Sequence, residues 1–192
     1  FCYPKFNRYI KYDYALQLKI SNEFKKELEK KGVKNKKRVT LGNKKAYLSS
    51  KLFIRQRSTE IIATFCKEPF AANNSIYILT AKDNSKQSDD LLKYTCGILN
   101  SDLITFYCRV CQIIRMQKGK TPQIKLSDLK HIRISISENY FESIIKITES
   151  LLEDPYNTIL FSELNQLVYK IYDISNAEID YINKYLKKGY SI

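Results

Sequence analysis

The longest regular pattern of apolar positions begins at Asp89. Leu92, Cys96, Leu99, Leu103, Phe106, Val110 and Ile114 recur every three or four residues, the spacing of one buried helical stripe. Asn100-Ser101 interrupts it, and serine is a preferred helix cap. The pattern therefore predicts two consecutive helices, about 89–99 and 102–116. Helical spacing returns after residue 137 and holds to the end, over 138–153, 155–172 and 176–188. Ser175 and Glu178 have the S-x-x-E spacing of a capping box. Asp154 reads as an N-cap, with Pro155 at the first helical position. Between the two helical regions, 117–121 reads as a basic loop and "PQIKL" as a short strand. Ser127 reads as the cap of a single turn, "DLKHI", and "RISI" as an extended segment.

The first half reads differently. "YIKYDYALQLKI", residues 9–20, alternates in part and suggests a strand pair or extended segment. "SNEFKKELEKKG" follows as a short helix, capped by Ser21 or Asn22 and stopped by Gly32. The basic stretch after it has almost no apolar period and reads as a long loop or ribbon. "KLFIRQRSTEIIATF", residues 51–65, predicts two strands around a turn at Ser58-Thr59-Glu60, with Phe53, Arg55 and Arg57 on one face if the segment is extended. "NSIYILTAK" is a third strand, and "DNSKQSDD" a polar surface loop. The fold class expected is α+β: a small twisted sheet with packed helices, followed by a C-terminal helical segment. The division expected is 1–137 and 138–192.

Composition narrows the reading. At 192 residues with 44% hydrophobic content, the chain can bury one core, with or without a helical appendage. No apolar run approaches the roughly 18 residues of a membrane span, so no membrane partner is expected. The opening Phe1-Cys2-Tyr3-Pro4-Lys5 has no methionine and no secretory pattern, which leads us to expect a fragment of something longer. Five cysteines, at 2, 66, 96, 108 and 111, form no disulfide framework; reduced thiols in a cytoplasm are expected.

The net charge is +13, and it is unevenly placed. Residues 1–134 carry +17 and residues 135–192 carry −4. An AT-rich coding sequence would explain abundant lysine. It would not explain few Asp and Glu, whose codons are no richer in G and C. A polyanionic partner accounts for both. The candidate contact residues fall in three groups: Lys34, Lys36, Lys37, Arg38, Lys44 and Lys45; then Arg55 and Arg57 with the neutral Gln56 between them; then Arg115, Lys118 and Lys120. Any one group could be a solvated face. Three groups on loops between regular elements suggest phosphate contacts, with Arg and Gln also able to read guanine and adenine edges.

Motifs for other chemistry are incomplete. Gly119-Lys120-Thr121 ends like a phosphate-binding loop, but the position five before Gly119 is Ile114, and Pro122 disfavours a helix opening at Thr121. Cys108-x-x-Cys111 lies inside the helical stripe without a second ligand pair, so buried structural cysteines explain it. His131 is the sole histidine and no Gly-x-Ser-x-Gly accompanies it. Asp154-Pro155-Tyr156-Asn157 resembles the Asp/Asn-Pro-Pro-Tyr motif of amino-group DNA methyltransferases but lacks its second proline, and no glycine-rich methyl-donor loop is found. A Pro-Asp…Glu-x-Lys nuclease signature is missing too. No catalytic residue and no metal ligand is assigned.

The succession "KLFIRQRSTEIIATF", "NNSIYIL", "LKYTCGILNSDLITFYCR", "GKTPQIKLSDLKHIRISI" resembles the TaqI-like C-terminal specificity domain, the target recognition domain of type IIG restriction-modification enzymes. It is similar in turn to one recognition half of a type I specificity subunit. The resemblance covers roughly 9–137, and the tail phrase "IYDISNAEIDYI" fits it. Leu99-Asn100-Ser101, Pro122-Gln123-Ile124 and Ser127-Asp128-Leu129 are its most specific pieces, and they look architectural: caps and a strand. The resemblance implies a DNA-reading module; which residues read the sequence does not carry over from it, and we expect loops 33–47, 55–60 and 115–121 to enter the major groove of double-stranded DNA. The acidic helices would face a methyltransferase domain of the same parent chain. No cofactor is expected for this fragment; S-adenosylmethionine and Mg2+ would belong to the parent, an adenine-specific methyltransferase or restriction endonuclease. Rival readings are an RNA-binding module and a protein-interaction domain with a basic face.

Overall fold

The computed structural model describes residues 9–11, 13–32, 42–72, 75–115 and 119–187. Within them the order is β1 (Tyr9–Lys11), α1 (Tyr14–Lys30), α2 (Lys44–Leu48), β2 (Lys51–Arg55), β3 (Ala63–Cys66), β4 (Phe70–Ala72), β5 (Ile76–Thr80), α3 (Lys86–Leu99), α4 (Asp102–Val110), α5 (Leu126–Leu129), a 3-10 turn (Glu138–Tyr140), α6 (Phe141–Glu153), α7 (Thr158–Ile171) and α8 (Asn176–Lys187). The α+β class is as expected. The sheet is antiparallel, in the order β3-β2-β5, and β1 pairs with β4 as a separate ribbon.

The central strand β2 is covered on both faces. Leu52 and Ile54 enter the main core, where Ile61, Ala63 and Leu92 also lie. On the opposite face, Lys51 and Phe53 are fully buried. A buried ammonium is tolerated only when its donors are satisfied. Lys51 Nζ donates to the carbonyls of Tyr47 (2.9 Å), Ser49 (2.7 Å) and Glu68 (2.8 Å), and stands 5.8 Å from the Phe53 ring centroid. Burial pushes its pKa down. One lysine thereby ties α2 and the turn after β3 to the sheet.

The helices are joined to the sheet by Asn100. This residue is buried between α3 and α4. Its amide Nδ2 donates to Ala63 O (3.0 Å) and Cys96 O (2.7 Å), and its Oδ1 accepts from Ala63 N (3.1 Å). The side chain thus pairs with the outer edge of β3 as a strand would. Ser101 caps α4 through Ile104 N (3.4 Å). Further on, 133–137 belongs to no helix and no ladder. Two tyrosine hydroxyls hold it instead: Tyr94 Oη donates to Ser135 O (2.8 Å) and accepts from Ser137 N (3.2 Å), while Tyr172 Oη donates to Arg133 O (3.0 Å) and accepts from Ser135 N (3.0 Å).

The C-terminal helices share the core with the first half. One apolar cluster runs from Leu52 through Ile98 and Ile144 to Ile182. Asn165 on α7 exchanges two hydrogen bonds with Asp102 at the start of α4, of 2.8 and 2.9 Å. Phe106 on α4 makes edge contacts with Tyr181 and Tyr185 on α8. The boundary expected at 137/138 falls between segments that meet in this cluster.

Close approach of α3 and α6 explains Gly97. A Cβ there would collide with Thr148 Oγ1 and press on Ile144 Cγ2 at 3.0 Å. Gly97→Ala is expected to destabilise the chain by about 1–3 kcal/mol through overpacking, less about 1 kcal/mol returned by helix propensity. Denaturant unfolding checks the net sign.

Several local expectations need correction. Residues 14–20 are helix, not strand: Asp13 Oδ1 accepts from Leu16 N (3.0 Å), and α1 runs unbroken past Ser21 and Asn22 to Lys30, with left-handed Gly32 (φ +67°) in the turn that stops it. Ala15, Leu16, Gln17, Leu18 and Lys19 are all strong helix formers, and this outweighs their partial alternation. The polar loop after β5 is shorter than expected, because Ser85 caps α3 already at Lys86. Helix α4 stops at Val110, where Gln112 turns left-handed (φ +57°) and Ile113 and Ile114 fold back into the core. Helix α7 is capped by Asn157, whose Oδ1 accepts from Leu160 N (3.1 Å), so Asp154 ends α6 and Pro155 lies in the turn. Ser127 lies inside α5 and caps nothing; Lys125 occupies the cap position. The capping box is as predicted: Ser175 Oγ and N both donate to Glu178 Oε2 (2.6 and 2.8 Å).

Candidate nucleic-acid interface

At the end of β2 the chain leaves the sheet and takes a new partner. Ser58 N donates to Pro122 O (3.2 Å), Ile124 N donates to Gln56 O (2.9 Å), and Arg57 faces Gln123 in an antiparallel bridge. Residues 55–58 and 122–124 form a miniature ribbon. Its inner side is fixed by Ile124, which is fully buried, and by buried Pro122. Alternation then turns Gln123 and Lys125 outward, and both are exposed. Gln56 points to the inner side: its Nε2 donates to Tyr77 Oη (3.0 Å), which donates on to Ile124 O (3.0 Å).

The outer side of this ribbon is one wall of a cleft of ≈ 650 Å³. Five cationic side chains line it: Arg55, Arg57, Arg115, Lys120 and Lys125. Ser75, Thr121 and Gln123 are among its polar lining, and no acidic residue is. Arg115 reaches Asp128 at 2.9 Å, in an ionic contact without hydrogen-bond alignment. The other four cations enter no ion pair among the described residues. Like charges gathered without counterions raise the local positive potential and favour an anionic visitor.

Gly119 makes the far wall possible. Its φ is +71°, a conformation most residues avoid, and it turns the chain so that Lys120 reaches the cleft. No helix opens there; α5 begins at Leu126. The Gly-Lys pair therefore does not occupy the position of a nucleotide-binding loop, in which the lysine opens a helix.

Of the residues expected at the interface, the structure gathers Arg55, Arg57, Arg115 and Lys120 in this cleft. Gln56 is adjacent but committed to Tyr77. Lys44 and Lys45 lie on α2 and do not line it; Lys44 stacks over Tyr14, 3.9 Å from the ring centroid. Lys34, Lys36, Lys37, Arg38 and Lys118 lie outside the described residues. Sequence reasoning missed Gln123 and Lys125. The alternation Pro-Gln-Ile-Lys about a core isoleucine was the available signal.

The remaining candidates for chemistry do not converge. Cys108 is fully buried in α4, and burial pushes its thiol up to about 12; that disfavours the thiolate needed for redox or metal chemistry. Cys111, expected to be buried, is exposed, because α4 ends beside it. His131 is exposed in the turn after α5. Among the described residues no three His, Cys, Asp or Glu are grouped to hold a metal ion, and no helix is long and apolar enough to cross a membrane.

A family model described as TaqI-like C-terminal specificity domain matches residues 13–134, from the cap of α1 to the tyrosine-held segment before α6. It contains the whole cleft. No curated protein matches the chain.

Proposed function

The chain belongs to the TaqI-like C-terminal specificity domain family, whose role is DNA recognition in restriction-modification systems, and from that premise we propose that it reads double-stranded DNA through the cationic cleft. What supports this reading is the cleft itself: five cations from three separate parts of the chain, four of them without an ion pair and none with an acidic neighbour in the lining, among the described residues. Arg55, Arg57, Arg115, Lys120 and Lys125 would neutralise phosphates or reach base edges. Lys34, Lys36, Lys37, Arg38, Lys44, Lys45 and Lys118 would extend the footprint along the backbone. Phosphate contacts supply affinity and register, and groove contacts supply sequence.

The chain would work as the specificity module of a type IIG enzyme in a bacterial cytoplasm. A methyltransferase domain of the same parent, using S-adenosylmethionine, would carry the chemistry. The C-terminal helices are acidic where the first half is basic, which suits them to face that domain rather than DNA.

The test is selection of bound sequences from a randomised duplex pool at two salt concentrations. A motif of a few base pairs is expected, with affinity falling steeply as salt rises. Equal or better binding to single-stranded RNA would favour an RNA module, and failure to bind any nucleic acid at low salt would favour a protein partner.

A further inference from the structure

Resting on the DNA reading above, we infer that Arg57 and Gln123 are the cleft's base-reading pair, taking a guanine and an adenine at neighbouring base pairs. The two residues are directly opposed in the antiparallel bridge. Directly opposed residues on one side of a ribbon have Cβ atoms about 4.5–5.5 Å apart. That separation suits two side chains reaching successive base pairs, which rise by about 3.4 Å. The major groove is wide enough to admit a two-stranded ribbon. Both side chains line the cleft, both are exposed, and neither has a side-chain hydrogen bond or ion pair within the described residues. Each is thus free to make two hydrogen bonds in one plane, Arg to guanine O6 and N7, Gln to adenine N6 and N7.

The structure separates this pair from Gln56, Arg115 and the two lysines, and the opposed bridge position sets Arg57, rather than Arg55, beside Gln123. Gln56 has the right chemistry, but its side-chain Nε2 is turned inward to Tyr77, and its backbone carbonyl accepts from Ile124 N–H. It is a positioning residue that sets the register of the ribbon. Arg115 is held by Asp128, which reduces its freedom to fork onto a base. Lys120 and Lys125 are point charges on flexible stems, better suited to phosphate than to planar recognition.

The experiment repeats the duplex selection with the 192-residue chain, Gln123→Ala and Arg57→Lys. The lysine variant keeps the charge and removes the planar fork. The wild type is expected to recover a motif containing a guanine beside an adenine. Gln123→Ala should lose about ten- to a hundredfold of its preference at the adenine alone. Arg57→Lys should lose a similar factor at the guanine alone, with the salt dependence unchanged. A motif that survives both substitutions, or that blurs equally at every position, would overturn this assignment and leave duplex binding standing. Salt-sensitive binding with no motif in the wild type would do the same. No duplex binding by the wild type at low salt would overturn the DNA reading together with the assignment.

Discussion

Asn100→Ala is expected to destabilise the chain by about 2–5 kcal/mol, measured by denaturant unfolding. The amide's hydrogen bonds to Ala63 N and O, to Cys96 O and, more weakly, to Cys96 Sγ disappear with it. Their direct loss is the smaller effect, because a net protein hydrogen bond contributes only about 1 kcal/mol. The larger effect is what remains. Ala63 is fully buried, and its N–H and C=O on the outer edge of β3 would both lose the side chain that pairs with them. Each orphaned group costs about 1–3 kcal/mol. Cys96 O is less affected, since it also accepts from Asn100 N. Asn100→Asp separates the contributions. The carboxylate keeps an acceptor for Ala63 N–H but turns its second oxygen toward Ala63 O and Cys96 O, so the loss should be at least as large and should ease as pH falls. Equal stability of Asn100→Ala and wild type would mean that α3 and β3 are held by apolar packing alone.

The same residue shows what could be read from the sequence. Asn100 and Ser101 stood out because they interrupt an apolar period, and serine's capping chemistry is local: a side-chain oxygen and an N–H three residues on. The Ser175–Glu178 box was legible for the same reason, as were the β2–β3 hairpin and the stop at Gly32. That Asn100 also completes the edge of β3, 37 positions away, follows from tertiary packing and has no local signature. The misreading of 14–20 is also instructive. Leu16, Leu18 and Ile20 alternate like a strand, yet they are exposed on α1; the Asp13 cap and strong helix formers decided the local structure. Half of the cleft was visible as charge groups. Its assembly was not, because Arg55 and Arg57 meet Lys120 and Lys125 through a bridge spanning more than sixty positions. The choice between Gln56 and Gln123 was out of reach for a sharper reason. Chemistry is identical at the two positions, and only the pleat of the ribbon turns one inward and the other out.

Neutralising Arg55, Arg57, Lys120 and Lys125 together by alanine is expected to change the salt dependence of duplex binding more than any other substitution of this size. Each phosphate contact removed lowers the slope of log affinity against log salt by about 0.9. If Arg55, Lys120 and Lys125 each hold a phosphate while Arg57 reads a base, the slope falls by about 2.7, and a fourfold rise in salt then costs roughly fortyfold less affinity than it costs the wild type. The fold should survive, because the four side chains enter no ion pair among the described residues; unfolding measurements on the variant check this. Arg115 is best left in place, since removing it would leave the Asp128 carboxylate without its cation and set a negative charge beside the cleft. The comparison that decides the matter is a second quadruple variant with Lys25, Lys26, Lys30 and Lys31 replaced. These residues are exposed at the far end of α1, do not line the cleft, and remove the same four charges. If net charge alone draws DNA to the protein, the two variants will share one slope. If the cleft is where phosphates are held, only the first will be flattened, because counterions are released where phosphates are neutralised and not across the whole surface.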